Sequence, residues 1–281
     1  MKWKRTTYKN INMQYSETST LRLDRALLAK RVKEVYTQVA SNPKEPFHFE
    51  TGRTLAERLG YPAYVLNKIP SKALESFSGV GYFFHMPTIE QDSSIVDLGS
   101  GSGTDVFFAA LLAGPAGDVT GIDMTDMQLE KSSGLAKQHG FSNVSFVKSY
   151  IESLPLGDNS ADVVISNGVI NLSADKEAVF SEVARILKPG GQLVLSDIVS
   201  AAPLPVQVTG DADLWAACVG GALPLDQYAG YITNAGLRVL NVETNLQYMF
   251  LSQSAQHLAE RYGIRSISLL AEKNFIAFKT Q

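Results

Sequence analysis

The sequence predicts an α/β protein. Its sheet is mostly parallel and covered on both faces, antiparallel strands add to it at the C-terminal end, and helices precede it. Two observations predict this class. Between residues 94 and 198 short apolar segments alternate with longer amphipathic ones. Some of the short segments, such as VVIS and LVLS, are apolar on consecutive positions, as strands buried under helices on both sides must be.

The elements follow in order. LRLDRALLAKRVKEVYTQVA places Leu21, Ala26 or Leu27, Val32, Val35 and Val39 at helical spacing, and SNPKEP ends it because proline cannot continue a helix. TLAERLG and YVLNKIPSKALESFSGVG read as short helices with glycine and proline stops. SIVDL is the first strand and TDVFFAALLAG its helix. DVTGID is the second strand, and DMQLEKSSGLAKQHG a helix with Asp126 as N-cap. NVSFVKS and ADVVISN are the third and fourth strands. SADKEAVFSEVARIL is a helix capped by Ser173 and stopped by KPGG, and GQLVLSDI is the fifth strand. SAAPLPVQVTG is a connection, and DADLWAACVGGALPLDQYAGYITNAG contains two short helices. LRVLNVETNLQYMFLS and ISLLAEKNFIAFKT read as the antiparallel strand pair, joined through YGIRS. The expected division is residues 1–90 as a helical segment, with a frayed start, 91–200 as the core, and 201–281 as the part completing the sheet.

Composition narrows the function. The chain has 281 residues, 45% of them hydrophobic, and a formal charge of −3. No basic footprint for nucleic acid is present. Cys218 is the single cysteine, and His48, His85, His139 and His257 show no metal-ligand spacing, so neither a disulfide nor a metal site is expected. The longest apolar run, VFFAALLAG, falls short of the roughly 20 residues of a membrane span. The basic N-terminus is not followed by a secretory apolar core. A cytoplasmic protein without membrane or nucleic-acid partners is expected.

The segment DLGSGSGTD at residues 97–105 carries the chemistry. Alone, such a turn is ordinary. Its glycines allow positive φ and close approach of a ligand, and the next helix begins with free N–H groups. The dinucleotide pattern G-x-G-x-x-G fails, because Thr104 stands where its last glycine belongs. Asp97 ahead of the loop repels a pyrophosphate and attracts an ammonium. Asp123 ends the second strand, where an acid accepts from both ribose hydroxyls; as an alternative it caps the strand end. Met124 and Ile151 suit the two faces of a purine, Glu152 its exocyclic amine, and Asn167 the switch point of the sheet. Gln128, early in the following helix, is counted with them. Taken together, Asp97, Gly99, Ser100, Gly101, Asp123, Met124, Gln128, Ile151, Glu152 and Asn167 describe a site for S-adenosylmethionine.

The run VDLGSGSG, GIDMT, YIESLP, VVISNGVIN and ILKPGG resembles class I S-adenosylmethionine-dependent methyltransferases, whose fold is Rossmann-like. The wording GIDMTDMQLEKS and ISNGVINLSADKEAVFSEVARILKPGG is closer to arsenite methyltransferases, and the flanks FHFETGRTLAERLGY and LWAACVGGALP agree. The resemblance implies that Tyr36 lies in a helical lid over the cofactor. It also implies thiolates for trivalent arsenic, a soft centre that prefers sulfur. Here Gly168 replaces the cysteine expected after the fourth strand, the N-terminal cysteines are absent, and only Cys218 remains, expected as a buried small residue.

The acceptor residues are therefore sought elsewhere. Asn171, Asp197, Trp215 and Tyr36 are the catalytic candidates, with Asp211, Asp213, Tyr231 and His85 near them. Three readings stay open: methyl transfer to a small-molecule acceptor by a monomer or homodimer; closure of S-adenosylmethionine on itself to azetidine-2-carboxylate, releasing methylthioadenosine; and a binding module without turnover. Arsenite methylation is disfavoured by the cysteine count.

Overall fold

The computed structural model describes residues 25–274. The N-terminal 24 residues, including Leu21, and residues 275–281 of the expected last strand lie outside the described part. Helix α1 (Arg25–Ser41) comes first, followed by α2 (Arg53–Leu59), α3 (Ala63–Leu66) and α4 (Ser71–Glu75). Then the alternation begins: β1 (Ser94–Leu98), α5 (Thr104–Ala113), β2 (Asp118–Asp123), α6 (Asp126–His139), β3 (Val144–Lys148), β4 (Ala161–Asn167), a 3-10 turn at Ile170–Leu172, α7 (Lys176–Ile186) and β5 (Leu187–Ser200). The C-terminal part contains α8 (Val206–Thr209), α9 (Ala212–Ala216), β6 (Leu223–Pro224), α10 (Leu225–Asn234), β7 (Leu237–Thr244), α11 (Gln253–Tyr262) and β8 (Arg265–Lys273).

The strands form one sheet in the order β3-β2-β1-β4-β5-β8-β7, with β6 a short addition to β5. The first five pair in parallel, and β8 runs antiparallel to both β5 and β7. The winding direction reverses between β1 and β4, which opens a crevice at the carboxyl ends of those strands. One face packs Phe107 and Phe108 of α5 with Phe77 and Phe83 from the segment before β1. The other packs Phe180 and Val183 of α7 and Tyr228 of α10 against Leu98, Ile122, Leu195 and Leu269. The α/β class with its antiparallel end is as expected.

Several local expectations are corrected. In α1 the inward residues are Leu28, Val32 and Val39, whereas Leu27 is exposed. Thr125 is the N-cap of α6, and Asp126 is its first residue, paired with Lys148 and Lys33. Asp175, not Ser173, caps α7 by accepting from the Ala178 N–H. KPGG does not separate helix from strand: β5 begins at Leu187, and its register shifts against β4 before Gln192. The largest miss is α11. The aromatic run QYMF reads as strand continuation, but β7 ends at Thr244, and Ser252 caps a helix by accepting from Ala255 N–H. Among the described residues no helix is long and apolar enough to cross a membrane.

Candidate functional site

The crevice is a cavity of about 440 Å³, bounded by the ends of β1, β2 and β4 below and by Leu28, Val32 and Tyr36 of α1 above. All ten expected cofactor residues line it: Asp97, Gly99, Ser100, Gly101, Asp123, Met124, Gln128, Ile151, Glu152 and Asn167. The loop after β1 turns back on β2, as the N–H groups of Gly99 and Ser100 both donate to the Ile122 carbonyl (2.7 and 2.9 Å). Gly99 has φ 72°, and a Cβ there would meet Val169 at 2.4 Å, so only glycine fits. Asp123 then locks the turn. Its Oδ2 accepts from Gly101 N–H (2.9 Å) and its Oδ1 from Thr125 N–H (2.8 Å). An ionised carboxylate can accept about four bonds, and these account for two of them. Gln128 ties the loop to the roof: its Oε1 accepts from Ser102 Oγ (2.6 Å), and its Nε2 donates to the Tyr36 carbonyl (3.1 Å).

One end of the cavity is acidic and buried. Burial pushes Asp97 well above the usual carboxylate range, and neighbouring Asp105 and Asp123 add to the effect. Asp105, first turn of α5, is pushed up to about 6 by burial, against the hydrogen bonds from Tyr61 (2.7 Å) and Asn167 (3.0 Å). The Asn167 amide also donates toward Gly81 O (3.1 Å), and its Oδ1 accepts from Val80 N–H (2.8 Å). Its side chain is thereby fully occupied in joining β4 to the segment before β1, and only its backbone is left for a ligand. Three buried carboxyls beside one another favour a cation between them. Ser100 Oγ, on the cavity wall, is buried without a hydrogen-bond partner, a polar atom a ligand would satisfy. At the other end Ser173 Oγ donates to Glu152 and fixes that carboxylate beside Ile151.

The catalytic candidates separate. Tyr36 lines the cavity, with its hydroxyl near the Cys218 thiol, and burial raises its pKa well above the ordinary range. Asn171, Asp197 and Trp215 are not in the cavity wall. Asp197 is buried and accepts from Asn171 N–H (2.9 Å), Ile198 N–H (2.8 Å) and Tyr228 OH (2.9 Å), and burial pushes it up to about 6. The Asn171 amide donates to the Cys218 carbonyl, and Trp215 Nε1 donates to Leu172 O (2.9 Å). These side chains build the wall from behind. Cys218 is buried, donates to Gly168 O (3.2 Å), and is pushed up to about 12, so its thiol stays protonated. It also holds a left-handed φ of 61° at the end of α9. His85 lies outside, bonded to Glu243 (3.0 Å). Asp211 caps α9, and Asp213 pairs with Arg31 (2.8 Å).

Sequence reasoning missed Asp105, Tyr61 and Lys176. A signal existed for Asp105: it is the one charge in an otherwise apolar helix. None existed for Lys176, which reads as an ordinary surface lysine yet is buried, donating to Asn171 O (3.1 Å) and Ser173 O (2.8 Å).

Known proteins resemble this chain in sequence and in fold. Residues 89–260 match the family model described as "Methyltransferase domain". An arsenite methyltransferase of Halobacterium salinarum is 36% identical over 193 residues, covering 69% of this chain and 49% of that protein. The human arsenite methyltransferase is 36% identical over 210 residues, 70% of this chain and 55% of that one. The chain thus spans about half the length of the curated relatives it matches. Among solved structures, the arsenic(III) S-adenosylmethionine methyltransferase of Chlamydomonas reinhardtii superposes with a TM-score of 0.61 at 31% identity, covering 82% of this chain and 76% of that one. The [4+2]-cyclase SpnF, at 21% identity and TM-score 0.58, shares the fold.

Proposed function

The chain belongs to the methyltransferase domain family, and from that premise we propose that it binds S-adenosylmethionine in the 440 Å³ cavity and delivers the methyl group to a small-molecule acceptor. The observation that carries the reading is the order of groups along one cavity: buried acids at one end, a glycine loop pinned by Asp123 in the middle, and Glu152 with Ile151 at the other. The volume lies at the lower end of the roughly 300–1,000 Å³ typical of sites for a single drug-sized ligand.

When bound, the cofactor supplies a methyl group on a cationic sulfur, which leaves as a neutral thioether. The residues supply position. Asp97 and Asp105 face the ammonium, Asp123 accepts from the ribose, Glu152 accepts from adenine, and the Asn167 backbone holds the methionine end. Tyr36 and α1 exclude water. Alignment alone can supply a large share of such a displacement, and a base is needed only for an acceptor that must lose a proton.

Arsenite, the substrate named for several relatives, is not the acceptor we propose. One protonated, buried thiol cannot replace a set of thiolates.

A second reading needs no acceptor residue at all. Asn171, Asp197 and Trp215 are buried, bonded to protein groups and absent from the lining of the cofactor cavity. In that reading the amine of the methionine moiety attacks its own γ-carbon, the carbon–sulfur bond breaks, methylthioadenosine leaves, and the amine proton passes to a buried carboxylate.

One experiment tests both. The protein is incubated with S-adenosylmethionine, with and without a panel of small acceptors, and the nucleoside product is followed by mass. S-adenosylhomocysteine formed only with an acceptor supports methyl transfer. Methylthioadenosine formed without one supports ring closure. Absence of binding in a calorimetric titration rejects the site itself, and tight binding without turnover leaves a binding module.

A further inference from the structure

Behind residues 172–176 lies a second cavity of about 280 Å³, whose lining shares only Ala174 with the first. Lys176 lines it. An ammonium has three protons; two of them go to the carbonyls of Asn171 and Ser173, and the nitrogen also stands over the Trp215 ring that lines this cavity. The nitrogen lies 5.2 Å from the centre of the Trp215 ring. Among the described residues Lys176 forms no ion pair.

Apart from the Trp215 ring face, which favours a cation, two features of its position disfavour one. It stands in the first turn of the 11-residue helix α7, where the helix dipole is positive. Burial pushes its pKa down to about 8, despite the pull of Asp197 from β5, Cys218 beyond α9 and Glu152 beyond β3. An anion in the cavity would relieve both effects.

A second donor is available there. Tyr231 lines the same cavity, and its hydroxyl accepts from Gln227 (3.3 Å), which leaves its own proton free to donate. The remaining wall is largely apolar, with Trp215, Ala174, Val206 and Leu223.

We infer that this cavity is a binding site for a short-chain monocarboxylate. Its carboxylate accepts from Lys176 and Tyr231, and its tail lies on the apolar wall. A phosphate, with three or four oxygens to satisfy, fits two donors and an apolar wall poorly. The volume is below that of a drug-sized site, so the tail is short. The site is separate from the cofactor cavity, and its test needs no cofactor.

The chain has two tryptophans, so in a Trp3→Phe background the emission reports Trp215 alone. The full chain is titrated with sodium butyrate at constant ionic strength, with chloride and inorganic phosphate in parallel. A saturable change with butyrate, at least tenfold weaker in Lys176→Met and in Thr209→Phe, is the expected result. Thr209→Phe fills the cavity from its rim, so it decides the matter if Lys176→Met does not fold, as read by circular dichroism. A response that is linear or equal to that of chloride overturns the inference. So does stronger saturation by phosphate, or saturation by butyrate that is unaltered in Thr209→Phe.

Discussion

Asp123 ties the glycine turn at Gly101 to the start of α6 at Thr125 and lines the cavity. Replacing it with alanine removes a charged acceptor, an interaction of about 1.5–3 kcal/mol. Asp123→Ala is therefore expected to weaken S-adenosylmethionine binding about 10- to 100-fold by calorimetry; an unchanged Kd would remove Asp123 from the ribose contact. Asp105 makes a different prediction. Its folded pKa is about 6 against an ordinary 3.8, so the folded state holds its proton more tightly than the unfolded chain. The stabilisation from that proton is full below the unfolded value and is lost as pH rises through about 6. Two pKa units correspond to at most about 3 kcal/mol. Urea denaturation should show the unsubstituted chain losing stability relative to Asp105→Asn between about pH 4 and 6, with a constant difference from pH 7 upward. Acids at strand tips such as Asp97 and Asp123 were legible because a carboxylate ending an apolar strand is conspicuous. Lys176 was not, since a lysine in a helix's first turn is normally solvated.

At the scale of elements, α1 is the roof, and polar bonds seat it as much as apolar contacts do. Lys131 Nζ donates to the Ala40 carbonyl (3.0 Å) and to Ser76 Oγ (2.7 Å), and Ser76 donates to the Val39 carbonyl (2.9 Å). Lys131→Met leaves those buried acceptors with weaker partners. Hydrogen bonds to charged groups contribute roughly 1.5–3 kcal/mol. Amide exchange over the last turn of α1 should therefore accelerate about tenfold or more, with exchange in β4 unchanged. Equal exchange in both proteins would mean that the Lys131 bonds do not help to seat α1. The periodicity of α1 was readable from its apolar spacing, though the inward position proved to be Leu28. Its partners were not readable, because Lys131 lies 91 residues from Ala40. Helix α11 escaped for a local reason. The aromatic residues before it suit a strand, and its own buried face is small, with Ala255 its one fully buried residue.

The whole molecule depends on the sheet passing without interruption from the parallel strands into β8 and β7. Ile267 of β8 is fully buried against the same core as Leu195. Ile267→Ala is expected to lower unfolding free energy by about 2–5 kcal/mol. Leu246→Ser, at a residue 83% exposed just beyond β7, should stay within about 0.5 kcal/mol. Equal effects in thermal melts would mean that the antiparallel end is not part of the cooperative unit. The parallel core was legible as a pattern of strands and helices, whereas the closing contacts of the C-terminal part depend on side chains that meet only after the sheet has formed.

Those contacts also set an order of events. Arg31 of α1 bonds Asp213, 182 positions later, and Ser266 of β8 bonds the Val80 carbonyl, 186 positions earlier. Residues of α1 and of the segment before β1 are thus fastened by residues made much later. Closing loops of that length is entropically costly and slows folding of any protein dominated by them. A chain still emerging from the ribosome could assemble β1 to β5 with the glycine turn in place and α1 seated on α6, yet the bonds to Arg31 and Val80 would wait for Asp213 and Ser266. The bonds that α9 and β8 make to earlier residues are therefore late events in the folding of this molecule.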